Sequence, residues 1–133
     1  MMYGPENFYD DSVGYLLKRQ GVIVEQKPYP PKVSDIIDAV SLVSRVHRRD
    51  IVGPYRAEGY LIPRRCVYWI ARHYTLQSYP QIGAAIGRRD HTTIISGVRR
   101  VNKYTRIHRP IIENALKILE KRGFYMMGEV KFG

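Results

Sequence analysis

The chain has a single cysteine, Cys66, which excludes an intrachain disulfide framework and a thiolate zinc cluster. It has no Gly-Lys dipeptide, and so no phosphate-binding loop of the Walker type. No apolar run approaches the roughly 18 residues needed to span a bilayer. The N-terminal stretch Met1–Tyr15 carries acids where a signal peptide carries lysines, so the expectation is a soluble cytoplasmic protein. The four histidines, His47, His73, His91 and His108, lack metal-ligand spacing. Acids are few, and clustered carboxylates for Mg²⁺ are missing, so no enzyme and no cofactor is expected.

Acids are scarce overall: 12 against 22 Lys and Arg, a formal net charge of +10 over 133 residues. The excess is local. Residues 45–122 hold 17 of the 22 bases and only Asp50, Glu58, Asp90, Glu113 and Glu120 as acids, whereas residues 1–44 are slightly acidic. A field of that sign concentrated on one segment points to a polyanion, nucleic acid before an anionic membrane. Basic residues interleaved with capped globular helices disfavour the membrane.

Composition divides the chain into three parts. Residues 1–33 hold Pro5, Pro28, Pro30 and Pro31 and tyrosines at 3, 9, 15 and 29, and read as an extended arm. Residues 21–25 form a candidate short strand, with the tail from Phe124 as a candidate partner. Residues 34–123 carry helical periodicity, and 124–133 form a short tail. Within 34–123 the expectation is an all-α domain of about five helices. The first is capped by Ser34, buries Ile36, Ile37, Val40, Val43 and Val46, and runs to about Arg49. One turn follows at 50–53. The second long helix opens with Pro63 in its first turn and buries Val67, Ile70 and Tyr74, with Arg65, Tyr68 and Arg72 on the other face. The last helix starts near Pro110 and stops at Gly123.

Between these lies the best-marked element. Ser78-Tyr-Pro-Gln81 is a capping box, Gly87 suits a left-handed stop, and Asp90 is a strong N-cap for the helix that follows. Two short helices joined by a tight glycine-containing turn describe a helix-turn-helix. The second helix of such a unit puts its N-terminal residues against base edges in the major groove. Here they are Asp90, His91, Thr92 and Thr93, short side chains with hydrogen-bonding heads. Arg88 and Arg89 beside the helix N-terminus suit phosphate clamping. Thr92, Ser96, Arg99 and Lys103 form a helically spaced exposed stripe opposite Ile94, Val98 and Val101.

Gln81-Ile-Gly-Ala-Ala-Ile-Gly-Arg-Arg-Asp-His-Thr-Thr-Ile94 closely resembles the signature of the C-terminal DNA-binding domain of the bacterial replication initiator DnaA. Pro63-Arg-Arg-Cys-Val-Tyr-Trp-Ile-Ala-Arg-His-Tyr-Thr-Leu-Gln-Ser78 keeps that family's spacing without a gap. The resemblance covers roughly residues 34–122 and implies double-stranded DNA as partner. It implies Asp90, His91 and Thr92 as major-groove readers, with Thr93 and Arg89 contacting DNA beside them. It implies Arg56 as a minor-groove arginine and Arg64 as a backbone contact. Arg88 stands where the family usually has a second glycine, and Arg65 where it usually has glutamine. Glu58 makes the loop around Arg56 less basic than in many members.

The initiator carries a large ATPase domain ahead of this module, and 133 residues leave no room for one. The expectation is therefore a regulator of replication or transcription, bacterial nucleoid-associated or phage-encoded, that binds a DnaA-box-like site without a nucleotide. The alternative is a protein-interaction adaptor, with the helix-turn-helix as scaffold and the N-terminal arm as the surface for a protein partner.

Overall fold

The computed structural model describes residues 26–126. Among them are six helices and no strand: α1 Val33–Ser44, α2 Arg48–Val52, α3 Glu58–Tyr74, α4 Tyr79–Ala85, α5 His91–Lys103 and α6 Thr105–Lys121. The fold is all-α, as the periodicity predicts.

The first expected helix divides into two. Its start is closed by Asp35, whose carboxylate accepts from the Lys32 amide at 2.9 Å, and not by Ser34. It stops at Ser44 because Arg45 turns left-handed, with φ 58°. The hydroxyl of Ser41 reaches past that turn to the Val46 carbonyl at 2.7 Å. The chain restarts as α2, with His47 Nδ1 accepting from the Arg49 amide at 3.1 Å. Val46 still packs against the core, which is why the apolar pattern runs unbroken through the break.

Helix α3 is the central rod. Cys66, Val67, Trp69, Ile70 and Ala71 are wholly buried in succession, which requires neighbours on several sides. Those neighbours are α1, α2, α5 and α6. Trp69 donates its indole N–H to Asn102 Oδ1 at 3.1 Å, so its one polar group is satisfied inside the core. The helix begins five residues before Pro63, so that proline sits inside it and not in its first turn. A proline there removes one i→i−4 bond, and the carbonyl it leaves is that of Gly59, which is exposed to solvent. Tyr68 is likewise not on an outer face. It is 2% exposed beneath α5.

Helix α6 also begins earlier than expected, at Thr105, so Pro110 lies within it. Tyr104 is the only residue separating it from α5, with its amide still bonded to Arg100. The α6 face of Ile112, Ala115, Leu116 and Leu119 covers α1 and α3.

Residues on either side of the helical body meet. The Lys27 amide donates to the Gly123 carbonyl at 2.7 Å and the Tyr125 amide to the Tyr29 carbonyl at 3.0 Å. The Tyr29 ring stands edge-on to Phe124, itself buried against the core. The candidate strand at 21–25 lies outside the described residues, as does most of the tail.

Candidate nucleic-acid interface

The turn between α4 and α5 is built from local signals. The Ser78 amide donates to Gln81 Oε1 at 2.8 Å, and Ser78 Oγ accepts from the Gln81 amide at 3.3 Å. These reciprocal bonds satisfy two donors that a helix start otherwise orphans. At the other end the Arg89 amide folds back onto the Gly83 carbonyl at 2.8 Å. A Cβ on Gly83 would stand 2.0 Å from the Arg89 carbonyl oxygen, so the return of the chain requires glycine there. Gly87 and Arg88 are both left-handed, with φ 74° and 55°. Only the first is a glycine. Arg88 carries the strain of an L-residue in that region and holds its side chain in solvent.

Asp90 then caps α5, its Oδ1 accepting from the Thr92 amide at 3.3 Å. That backbone hydrogen bond, with the nearby His91, holds the Asp90 carboxyl below its ordinary value. His91 Nδ1 lies 3.0 Å from the same oxygen. The first turn of α5 therefore presents His91, Thr92 and Thr93 outward, all exposed. Ile94, Val98 and Val101 point into the core.

Helix α5 lies close upon α3. A Cβ on Gly97 would meet Tyr68 Cδ2 at 2.4 Å, so the two helices approach more closely than any side chain at 97 allows. The Tyr68 hydroxyl beneath is buried and unpartnered among the described residues. Burial pushes that phenol up, against the opposing pull of Arg89, Arg64 and Arg65.

The loop between α2 and α3 forms the opposite wall. Arg64 pins it from below. Its guanidinium donates to the carbonyls of Ile51 at 2.6 Å, Tyr55 at 2.8 Å, Gly53 at 2.9 Å and Asp50 at 3.2 Å. Arg64 is 3% exposed, and burial with the nearby Arg89 charge lowers its pKa from the ordinary value. Arg89 ties the same loop to the α4–α5 turn, donating to Ile86 at 2.7 Å, Val52 at 3.1 Å and Gly53. Arg56 stands exposed on the loop so held.

Loop and helix enclose a groove of about 760 Å³. Arg56 lines one wall, Thr92, Thr93 and Ser96 the other, and Arg64, Arg65, Tyr68 and Arg89 the floor between them. The sequence reading did not include Arg100, which also lines the groove. The signal was present: Thr93, Ser96 and Arg100 follow one another at helical spacing, beside the chosen stripe of Thr92, Ser96, Arg99 and Lys103. Arg88, Asp90, His91, Arg99 and Lys103 are exposed but are not groove-lining residues. Lys103 Nζ and the Arg100 guanidinium lie 5.4 and 5.9 Å from the centre of the Tyr104 ring. Arg64 differs from the others in kind, lying under the site with four bonds already made. Among the described residues no group of three or more His, Cys, Asp or Glu side chains is placed to hold a metal ion. No described helix is long and apolar enough to cross a membrane.

The model of the bacterial dnaA protein helix-turn-helix matches residues 33–101, from the first residue of α1 through most of α5. The chain belongs to this family. It is 37% identical to the chromosomal replication initiator protein DnaA of Ruegeria sp. (strain TM1040) over 82 residues, 62% of this chain and 17% of that protein. It is 32% identical to that of Xanthobacter autotrophicus over 98 residues, 71% of this chain and 19% of that protein. The chain thus spans under a fifth of these relatives' length. In the DnaA helix-turn-helix, the match takes in α4, the turn and the α5 start, the elements that carry Arg88 to Ser96.

Proposed function

We propose that this chain binds double-stranded DNA sequence-specifically at a DnaA-box-like site, and acts as a regulator of replication or transcription through binding alone, without ATP hydrolysis. The observation that carries this reading is the groove. An exposed arginine on a pinned loop stands across from a helix N-terminus whose Thr92 and Thr93 line the opposite wall, with His91 exposed beside them. Side chains of that kind reach base edges from a helix in the major groove. An arginine beside them suits the adjacent minor groove, where narrow A·T stretches concentrate negative potential. Arg88, Arg99, Arg100 and Lys103 flank the helix as phosphate partners. Arg64 and Arg89 contribute chiefly by holding the loop and turn in register, since their guanidinium donors are engaged by backbone carbonyls.

The test is selection of bound duplexes from a random pool, followed by affinity as a function of salt. Observed affinity falls linearly on a log–log plot, with a slope near 0.9 per phosphate neutralised. His91→Ala and Thr92→Ala each lose about 1–3 kcal/mol for the selected site and little for scrambled DNA. Arg99→Ala weakens both alike. Binding indifferent to salt, or His91→Ala and Arg99→Ala behaving identically on both duplexes, contradicts the reading.

A further inference from the structure

Two adjacent arginines enter the groove floor and are treated differently by the fold. Arg64 is saturated by carbonyls, as described above. Arg65 has no hydrogen-bond acceptor among the described residues. Its side chain is 11% exposed, with Cγ only 3.6 Å from where a Gly97 Cβ would stand, so its stem is held under α5. Its ion pair is with Glu58, which opens α3 and whose side chain is 69% exposed. Glu58 Oε1 lies 3.6 Å from Arg65 Nη2, close enough for attraction and too far for a hydrogen bond. A guanidinium has five donors, and one carboxylate beyond hydrogen-bond distance leaves them open to a second, closer anion.

A duplex that offers its minor groove to Arg56 and the neighbouring major groove to α5 has one sugar–phosphate strand between the two. That strand crosses the floor where Arg65 lies. A phosphodiester within hydrogen-bond distance satisfies Arg65 better than Glu58 does, and carries the same sign of charge as Glu58.

We propose that Glu58 sets the affinity of this groove, standing in for a DNA phosphate on Arg65 in the free chain and being displaced from it by the duplex backbone. The inference rests on the duplex-binding reading and adds an opponent to it. Each binding event breaks the Glu58–Arg65 pair and brings a phosphate toward the Glu58 carboxylate. Both effects weaken binding, and both vanish with the charge at position 58.

The experiment measures duplex affinity against salt for the full chain and for Glu58→Gln, Arg65→Gln and the double variant, with a thermal melt of each to confirm folding. Glu58→Gln keeps the shape and removes the charge. It binds the selected duplex about threefold tighter or more at low salt, in the range that exposed ion pairs command. Its log–log slope steepens toward one further phosphate, by about 0.9. Arg65→Gln binds more weakly, and adding Glu58→Gln to it restores little. An unchanged affinity and slope in Glu58→Gln, with the wild type still binding in a salt-sensitive way, overturns this proposal and leaves the duplex reading intact. An equal gain in the Arg65→Gln background also overturns it, because Glu58 would then act through the general field and not through Arg65. A wild type that does not bind duplex DNA removes both.

Discussion

The guanidinium groups of Arg64 and Arg89 converge on one acceptor, the carbonyl oxygen of Gly53, although they belong to different helical units. Two like charges share that oxygen because the end of α2 and the loop after it supply the other acceptors: Asp50, Ile51 and Tyr55 for Arg64, and Val52 for Arg89. The loop that carries Arg56 and the turn that leads into α5 are therefore fastened to the same point.

Removing Arg64 takes a side-chain donor from the Asp50, Ile51 and Tyr55 carbonyls, leaves Gly53 to Arg89 alone, and opens space under the loop. Arg64→Ala should cost about 3–5 kcal/mol, the range for breaking a buried charged network, read as a lower urea midpoint at unchanged m-value. Arg64→Lys should recover only part, since an ammonium cannot span the same fork of acceptors. A cycle with Arg89→Ala should be non-additive by about 0.5–3 kcal/mol, because the two residues share a partner. Additive losses would mean that the shared carbonyl couples nothing.

The contact between Gly97 and Tyr68 is a packing limit, with opposite outcomes on its two sides. Gly97→Ala puts a methyl into the Tyr68 ring and should destabilise by about 1–3 kcal/mol, since the ring is enclosed and α5 must lift. Tyr68→Phe removes a hydroxyl that is buried without a partner and should be neutral or stabilising, by up to about 1 kcal/mol. A clear loss of stability in Tyr68→Phe would show that the hydroxyl makes a bond that matters.

His108 supplies the pH dependence. It is 1% exposed, its Nδ1–H donates to the Tyr104 carbonyl at 2.8 Å, and its Nε2 is buried with no partner among the described residues. Burial, opposed by that backbone bond, depresses its pKa below the ordinary 6.5. The unfolded chain then binds the proton more readily than the folded one. Stability is full above about pH 6.5, falls as the pH drops through that value, and levels off once the folded form also titrates. The slope in that window is limited to about 1.36 kcal/mol per pH unit for one proton. His108→Gln should flatten the decline between pH 7 and 5 in denaturant titrations. Parallel curves for the two proteins would place the titration elsewhere.

What was legible in the sequence was local. The Ser78–Gln81 box, the left-handed Gly87 and the Asp90 cap all act over two or three residues, and the fold contains each as read. The apolar stripes of α3, α5 and α6 were legible for the same reason. The misread features depend on distant partners. The break after Ser44 hides because Val46 remains an inward residue beyond it. Pro63 and Pro110 are familiar start signals, yet here each helix has gained a turn ahead of its proline. Tyr68 fell on an outer stripe of α3 because nothing within its own helix announces that α5 lies across it. The sequence offers Arg64 and Arg89 as DNA contacts, and only the fold adds the carbonyls that engage them, 9 to 14 positions from Arg64 and, beyond the local Ile86, 36 to 37 from Arg89.

Arg56 is the residue whose role is most exposed to test. No ion pair or hydrogen bond marks it among the described residues. It stands in solvent on the loop that Arg64 and Arg89 fasten, facing the groove. Ordering a long side chain at a surface costs entropy, so an arginine kept free there is poised for a partner that arrives. A minor groove offers only its width and the distinction between A·T and G·C, so Arg56 should contribute a short A·T preference at one flank of the selected site. Arg56→Ala should lower affinity and flatten preference at that flank, while the positions proposed above for His91 and Thr92 should keep theirs. Arg56→Lys should recover only part, because an ammonium is more strongly hydrated and fits a narrow groove less well. Thermal stability should not change in either variant, since the side chain supports nothing in the fold. The measurement is the bound-sequence profile of each variant beside the wild type. Profiles that superimpose at every position would exclude a minor-groove role for Arg56 and leave the α5 side of the groove as the sole reader.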